Sequence, residues 1–214
     1  GRRVVVTAGA TREPVDPVRF LSNHSSGRMG VALAAAAWRR GAVVTLIAGH
    51  MEIPAPVGVE VVTAATTEEM LQAVREALPA ADALIMAAAP ADFRPSTAAT
   101  SKIKKGSAQQ ALALSPTADI LASTRAARPA GCVIVGFALE TDDAIASGRA
   151  KLAAKDLDLI VVNDAREEGA GFGVSTNRVT LLSRDGGAEE LPLMLKTDVA
   201  DVILDRVERA LDAG

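Results

Sequence analysis

The sequence predicts a doubly wound α/β domain: a mostly parallel sheet with helices on both faces and a β-hairpin appended near the C-terminus. Three observations predict it. Short runs rich in β-branched residues alternate with helical stretches along most of the chain, which is the signature of a parallel sheet built from strand–helix–strand units. Runs such as Ile134-Val135 and Leu159-Ile160-Val161-Val162 are apolar without alternation, as strands covered on both faces are. Beyond Arg178 the pattern changes to two short β-rich runs on either side of Asp185-Gly186-Gly187, a hairpin signal.

Each element has its own reason. Residues 4–7 form a buried strand, and residues 27–40 an alanine-rich helix that Gly41 stops. Residues 43–48 and 59–63 give the second and third strands. Thr66 or Thr67 caps a helix running to about Leu78, with Glu68 and Glu69 favourable in its first turn. Residues 83–89 read as the fourth strand, 120–127 as helical and 132–138 as a strong strand. Asp142 or Asp143 opens a helix to about Lys155, and residues 157–162 form the next strand. The hairpin pairs 178–183 with 190–193, and an amphipathic helix over 197–211 closes the fold. No repeat, low-complexity block or linker divides the chain, so residues 1–214 read as one domain. In a Rossmann-like order of this kind, ligands bind beyond the carboxyl ends of the strands.

Composition narrows the ligand. The 214 residues carry a net charge of −3 and only 2% aromatic residues, with no tyrosine, one tryptophan and four phenylalanines. A single-stranded nucleic-acid binder needs stacking platforms and phosphate-neutralising charge, and both are scarce here. No apolar run reaches the ~18 residues of a membrane span. The lone Cys132 cannot form an internal disulfide, which fits a reducing, cytoplasmic setting. The apolar stretch after Gly1-Arg2-Arg3 is too short for a signal peptide, so the expectation is a segment of a longer polypeptide.

Two loops carry the chemistry. The first, residues 8–26, is unusually long for a compact domain, where such loops are functional or disordered. It ends in Ser25-Ser26-Gly27-Arg28-Met29-Gly30 at a helix start, where free N–H groups suit a phosphate; a plain serine N-cap with packing glycines explains the same residues. The second follows the fourth strand as Met86-Ala87-Ala88-Ala89-Pro90-Ala91-Asp92-Phe93-Arg94, and then Ser101-Lys102-Ile103-Lys104-Lys105-Gly106. Small residues at a strand end leave room for a ligand, and Asp92 projects into the crevice. Lysines 102, 104 and 105 make a positive site in an acidic chain, though a charge run alone is more often a solvated surface. Lys151 and Lys155, four apart on one helix face, add charge or are themselves solvated.

These residues give a specific resemblance. Thr7-Ala8-Gly9-Ala10-Thr11-Arg12-Glu13-Pro14, Asp16-Pro17-Val18-Arg19, Ser22-Asn23-His24-Ser25-Ser26-Gly27, Lys102-Ile103-Lys104-Lys105 and Gly136-Phe137-Ala138-Leu139-Glu140-Thr141 occur in order along the chain. Together they resemble the phosphopantothenate–cysteine ligase family of the bacterial, CTP-using type, commonly the C-terminal half of a bifunctional flavoprotein of coenzyme A biosynthesis. The resemblance implies ligation of 4′-phosphopantothenate to L-cysteine through an acyl-cytidylate, with release of pyrophosphate and then CMP. It implies that Lys102 serves the first half-reaction and Asn23 the second. It places CTP on Met86, Ala87, Ala88, Asp92, Lys102, Ala118, Asp119, Ile120, Leu121, Phe137, Lys151 and Lys155, and phosphopantothenate on Arg19, Asn23, Ser25, Ser26 and Gly27. Mg²⁺ is expected mainly on the phosphates and water, with no metal ligands from the protein. A homodimer and an N-terminal flavin-dependent decarboxylase domain are the implied partners, with no nucleic acid and no membrane.

Two departures stand out: Thr117-Ala118-Asp119-Ile120 replaces the family's usual Asn-Pro-Asp-Ile, and residues 105–114 match weakly. The glycine-rich flap at 169–175 and the hairpin are expected to serve pairing or closure. His24 and His50 lack companions at metal-ligand spacing, Cys132 reads as an inert core residue, and Trp38 as packing. An NAD(P)-dependent oxidoreductase on the same fold is the alternative, weakened because the second strand ends Ala48-Gly49-His50 without the acid that holds a ribose 2′-hydroxyl. A non-enzymatic nucleotide-binding module is the third reading.

Overall fold

The computed structural model describes residues 1–105, 111–140, 143–164 and 173–213. The chain opens on β1 (Arg3–Ala8), makes a small hairpin of β2 (Arg12–Pro14) and β3 (Phe20–Ser22), and enters α1 (Arg28–Arg39). Then come β4 (Val43–Ala48), β5 (Glu60–Thr63), α2 (Thr67–Ala77) and β6 (Ala83–Met86). A short ribbon of β7 (Phe93–Pro95) and β8 (Leu114–Pro116) leads to the one-turn helix α3 (Ile120–Ser123), β9 (Val133–Glu140), α4 (Ala144–Ala154) and β10 (Leu159–Asp164). The chain finishes with β11 (Thr176–Asn177), β12 (Thr180–Ser183), β13 (Ala188–Glu190), β14 (Met194–Leu195) and α5 (Lys196–Ala213).

Eight strands form one sheet in the order β13-β12-β10-β9-β6-β1-β4-β5. The run from β10 to β5 is parallel throughout. β12 and β13 add the antiparallel hairpin beside β10. Numbered among themselves, the parallel strands run 3-2-1-4-5-6, so the winding reverses between β1 and β6. Neighbouring connections leave in opposite directions there and open a crevice at the strands' carboxyl ends.

Alternation along each strand divides the core in two. Val4, Val6 and Ala8 of β1 face Leu33, Ala34 and Ala37 of α1 and Val199, Ile203 and Leu204 of α5. Val5, on the other face, joins Met70, Leu71 and Val74 of α2 and Leu152 of α4. Fully buried side chains such as Leu33 and Ile203 each contribute about 1.5–3 kcal/mol. The alanines of α1 let that helix lie close to the sheet, and Gly30 marks the tightest approach: a Cβ there would stand 2.5 Å from the Ala8 Cβ and 2.7 Å from the Thr7 carbonyl oxygen. No described helix is long and apolar enough to cross a membrane.

Several expectations need correction. The fourth strand ends at Met86, not Ala89, because the Ala87 N–H turns back to the Ile85 carbonyl and the Ala88 N–H goes to a side chain. The helical stretch 120–127 is broken into α3 and a 3₁₀ turn at Arg125–Ala127. The Thr124 hydroxyl caps the break by donating to the Ile120 carbonyl at 2.7 Å, the back-bonding by which threonine competes with helix. The long first loop is not structureless, since β2 and β3 pair within it. Asp143, one of the two capping positions expected, caps α4 and accepts from the Ala146 N–H. Trp38 is 45% exposed, its ring set against Gly58. Thr141, Asp142, residues 106–110 of the weakly matching segment and most of the glycine-rich flap lie outside the described residues.

Candidate functional site

A cavity of about 470 Å³ opens at the reversal point, within the roughly 300–1,000 Å³ usual for small-ligand sites. Its walls come from the end of the first loop (Asn23 and Ser25–Met29), the loop after β6 (Met86–Asp92), the approach to α3 (Thr117–Leu121) and the end of β9 (Phe137–Leu139). Lys151 of α4 and Lys155 at its C-cap reach it from one side, and Asn163, Asn177 and Lys196 from another.

Side chains at the end of β1 hold the loop after β6 in place. Thr7 and Thr11 are fully buried. Thr7 Oγ1 accepts the Ala88 N–H at 3.1 Å, and Thr11 Oγ1 accepts the Ala91 N–H at 2.9 Å. Thr11 also meets Thr67 Oγ1 at 3.0 Å, and Thr67 is fixed by the buried Glu13, whose Oε1 accepts both its N–H and its hydroxyl at 2.9 Å. Buried backbone donors that leave the sheet need such partners. This sequence supplies them from side chains, which frees the loop from the strand ladder and lets it form a wall.

Asn23 completes that wall. Its Nδ2 donates to the carbonyls of Ala89 (3.1 Å) and Pro90 (3.0 Å). Both amide protons are thus engaged by the loop in this state. The carbonyl oxygen of the same amide is the group left to address a ligand.

At the mouth of α1, Gly27 takes a left-handed conformation (φ 80°) with no side-chain cap on the helix, and a Cβ there would press 2.8 Å from Met51 Cγ. The helix therefore starts with open N–H groups at the cavity wall, an arrangement that favours anions. On the α4 side Lys155 pairs with Asp119 at 3.0 Å. Burial is the largest single influence on the Asp119 carboxyl and would raise it, but the hydrogen bond and charge of Lys155 together with the N–H groups of Ala122 and Leu121 outweigh it and hold the group below its ordinary value. Among the described lining residues Arg28, Lys151, Lys155 and Lys196 oppose only Asp92 and Asp119, so the described lining of this acidic protein's cavity carries an excess of positive charge.

Arg19 and Lys102 are the two predicted residues that do not line the cavity. They belong to a neighbouring clamp. Asp16 is buried and accepts from the N–H groups of Val18 (2.8 Å), Arg19 (2.9 Å) and Ile103 (3.0 Å). Its Oδ2 also takes the Arg19 guanidinium through Nε and Nη2. Arg19 Nη2 goes on to the Ile103 carbonyl at 2.9 Å. The Arg19 hydrogen bond, followed by those backbone donors, pulls the Asp16 carboxyl well below the usual carboxylate range. The residue next to Lys102 is therefore fixed at both its N–H and its carbonyl, while Lys102 itself is exposed.

Sequence reasoning did not single out Arg28, Asn163, Asn177 or Lys196. Arg28 was present in the quoted motif but had no assigned role. The others lie on elements that only the tertiary fold brings to the crevice. Cys132 stands just before β9, half-buried, with burial pushing its thiol up to about 11, which leaves it unreactive.

Fold and site together define a doubly wound α/β domain with a cavity of small-ligand size, rich in cations among its described lining residues, at its reversal point. Comparison with known proteins makes the class specific. The chain belongs to the family described as the DNA/pantothenate metabolism flavoprotein C-terminal domain, whose model matches residues 1–211. It is 46% identical over 208 residues to the coenzyme A biosynthesis bifunctional protein CoaBC of Bacillus subtilis, covering 97% of this chain and 51% of that protein. It is 47% identical over 218 residues to CoaBC of Mycobacterium tuberculosis, with 97% and 52% covered. It is also 45% identical to a cysteine/cysteine sulfinic acid decarboxylase from an unknown prokaryotic organism, covering 58% of it. The chain thus spans about half the length of the curated relatives it matches. The crystal structure of the C-terminal domain of CoaBC superposes with a TM-score of 0.85 at 35% identity, covering 100% of this chain and 97% of that one. The Cab2 mutant H337A complex with phosphopantothenate-cysteine has the same fold, with a TM-score of 0.79 at 17% identity and 99% and 87% covered. The sequence resemblance to the phosphopantothenate–cysteine ligase family is borne out at the level of the family.

Proposed function

We propose that the chain is the ligase domain that joins 4′-phosphopantothenate to L-cysteine at the expense of CTP. The observation that carries this reading is the cavity at the reversal point, which gathers every predicted nucleotide and substrate residue except Arg19 and Lys102. In the first half-reaction a carboxylate oxygen attacks the α-phosphorus, and the bond to the β-phosphate oxygen breaks with loss of pyrophosphate. Carboxylate and triphosphate repel one another, so cations are needed, and the lining supplies an excess of them. Lys102 would approach from the clamped segment. The loop Met86–Asp92 offers backbone groups to the base and Asp92 to the ribose or a hydrated Mg²⁺. Mg²⁺ would be carried mainly by the phosphates and water, because it keeps part of its hydration shell, and would supply charge neutralisation. In the second half-reaction the cysteine amine attacks the acyl carbon, the C–O bond to CMP breaks, and the amine loses a proton.

The dimer reading has support on the surface. Val18, Phe20, Phe93, Leu112 and Leu114 are 43–59% exposed on or beside the paired hairpins β2–β3 and β7–β8, and exposed large apolar side chains of this kind are what an interface covers.

The test mixes the chain with CTP, Mg²⁺, 4′-phosphopantothenate and cysteine and follows CMP and pyrophosphate. Lys102→Gln is expected to lose acyl-cytidylate formation. Asn23→Asp is expected to form the intermediate and consume it slowly. A folded chain that releases no CMP overturns the ligase reading, and normal turnover by Asn23→Asp overturns the role of Asn23.

A further inference from the structure

Arg128 joins two of the elements that wall the cavity. Its Nη2 donates to the Leu121 carbonyl at 2.7 Å, and its Nη1 to the carbonyls of Lys155 (3.0 Å) and Asp156 (2.8 Å). Leu121 belongs to α3, and Lys155 is the C-cap of α4. Both line the cavity, whereas Arg128 does not. The end of α4 is a closed turn: the Leu157 N–H returns to the Leu152 carbonyl at 3.0 Å and the Asp156 N–H to the Ala153 carbonyl at 3.2 Å, a pattern that usually puts glycine in the left-handed position. Here Asp156 holds that position, with φ 53°. A non-glycine residue stays there only where its surroundings fix it. Asp156 is fixed twice, its carbonyl by Arg128 and its carboxylate by Arg184 Nη1 at 2.6 Å. Arg128 thus takes carbonyls that the turn leaves over, at a helix end where a cation is favoured. On the cavity itself the Lys155 ammonium meets Asp119 at 3.0 Å, and Asp119 caps α3 by accepting from the Ala122 N–H at 3.1 Å. The two helices are therefore joined twice, by the Lys155–Asp119 pair on the lining and by one guanidinium off it.

We propose that Arg128 is a positioning residue for the nucleotide: by tying the Leu121 carbonyl to the end of α4 it sets where Lys155 and the α3 wall stand when CTP binds. A helix of one turn, such as α3, has too few internal hydrogen bonds to hold its own place. A lysine carries its charge on a flexible stem, so Lys155 is aimed only as well as the backbone it starts from. The Arg128 fork fixes both backbones at once. Charge alone would not do this, because the three carbonyls are met by two separate nitrogens of one rigid plane. The joint follows from these contacts alone; that the ligand it serves is CTP rests on the ligase reading.

The experiment is isothermal titration of the 214-residue chain with CTP, for the parent, Arg128→Met, Arg128→Lys, Lys155→Met and the double variant of Arg128→Met with Lys155→Met. Folding is checked by urea unfolding, and CMP release with Mg²⁺, 4′-phosphopantothenate and cysteine is measured in parallel. Arg128→Met is expected to weaken CTP about tenfold, since a small displacement of a binding group is enough for that. Arg128→Lys keeps the charge and loses the fork, and is expected to fall within about threefold of Arg128→Met. The double variant is expected to bind CTP about threefold or more tighter than the two single losses multiplied predict, because both act through Lys155. Parent-like affinity of folded Arg128→Met overturns the proposal. So does full recovery by Arg128→Lys, which would assign the effect to charge. Losses that simply multiply also overturn it, since Arg128 would then act independently of Lys155. If Arg128→Met does not fold, Arg128→Lys, alone and with Lys155→Met, decides on the same criteria. A chain that binds CTP in this Arg128-dependent way but releases no CMP keeps the positioning role and removes the ligase reading. A parent chain that binds no CTP overturns both.

Discussion

Replacing Thr11 with valine tests how the cavity wall is built. The substitution keeps the shape and β-branching of the side chain and deletes only the hydroxyl. Thr11 is fully buried, so no water replaces what is lost. The Ala91 N–H, now accepted at 2.9 Å, is left without a partner. Thr67 is not orphaned, since its hydroxyl still donates to Glu13 at 2.9 Å. One buried donor is therefore stranded, at a cost of about 1–3 kcal/mol. For a chain of this size each kcal/mol moves the melting temperature by about 2–4 °C, so a central loss of about 2 kcal/mol corresponds to roughly 4–8 °C. Denaturant unfolding gives the first quantity and calorimetry the second. The Thr7→Val variant strands the Ala88 N–H in the same way, and because both hydroxyls hold one loop, the double variant should depart from additivity by about 0.5 kcal/mol or more. Nucleotide affinity should fall along with stability, since Asp92 follows Ala91 directly. A Thr11→Val chain within about 0.5 kcal/mol of the parent, with the Ala91 amide still protected from hydrogen exchange, would refute the claim that these hydroxyls hold the wall.

Two further outcomes follow from the same geometry. Gly30→Ala forces a Cβ to 2.5 Å from the Ala8 Cβ, with backbone just behind it; overpacking of this kind costs about 1–3 kcal/mol, and lifting α1 off β1 should also weaken phosphate binding at the helix start, both measurable on the purified variant. Asp16 gives a pH signature. Its carboxyl is held below its ordinary value in the folded chain, so its contribution is complete above the unfolded value of about 3.9 and is lost as pH falls below it toward the folded value. The stability advantage of the parent over Asp16→Asn, read from urea midpoints, should therefore be larger at pH 7 than near pH 3; an advantage that is constant or grows on acidification contradicts the clamp.

What the sequence discloses about this fold is the part written in continuous runs. Leu159-Ile160-Val161-Val162 reads as a doubly covered strand because both of its faces meet a core, and no distant partner is needed to see that. The strand that ends at Met86 reads as longer because Ala87, Ala88 and Ala89 look like more of the same. What ends it is a pair of threonine hydroxyls, one of them 81 positions away from the amide it accepts. The site divides along the same line. Residues carried in contiguous motifs, from Asn23 to Gly27 and from Met86 to Asp92, reach the cavity together because each motif is a single strand-end loop. Lys196 sits in an ordinary-looking helix start and reaches the cavity only because α5 packs beside α1, which brings Arg28 near it. A lysine opening a helix carries no local signal of such a place, since its burial and the neighbouring cation are visible only in the fold. Arg19 illustrates the converse. Its motif marks it as a substrate contact, yet in the fold its guanidinium is engaged by Asp16 and the Ile103 carbonyl. The same charge that could meet a ligand is here used to fix the backbone beside Lys102. If Lys102 acts in the reaction, Arg19 then influences it through that backbone, and Arg19 and Asp16 variants should fail in the same half-reaction as Lys102 variants.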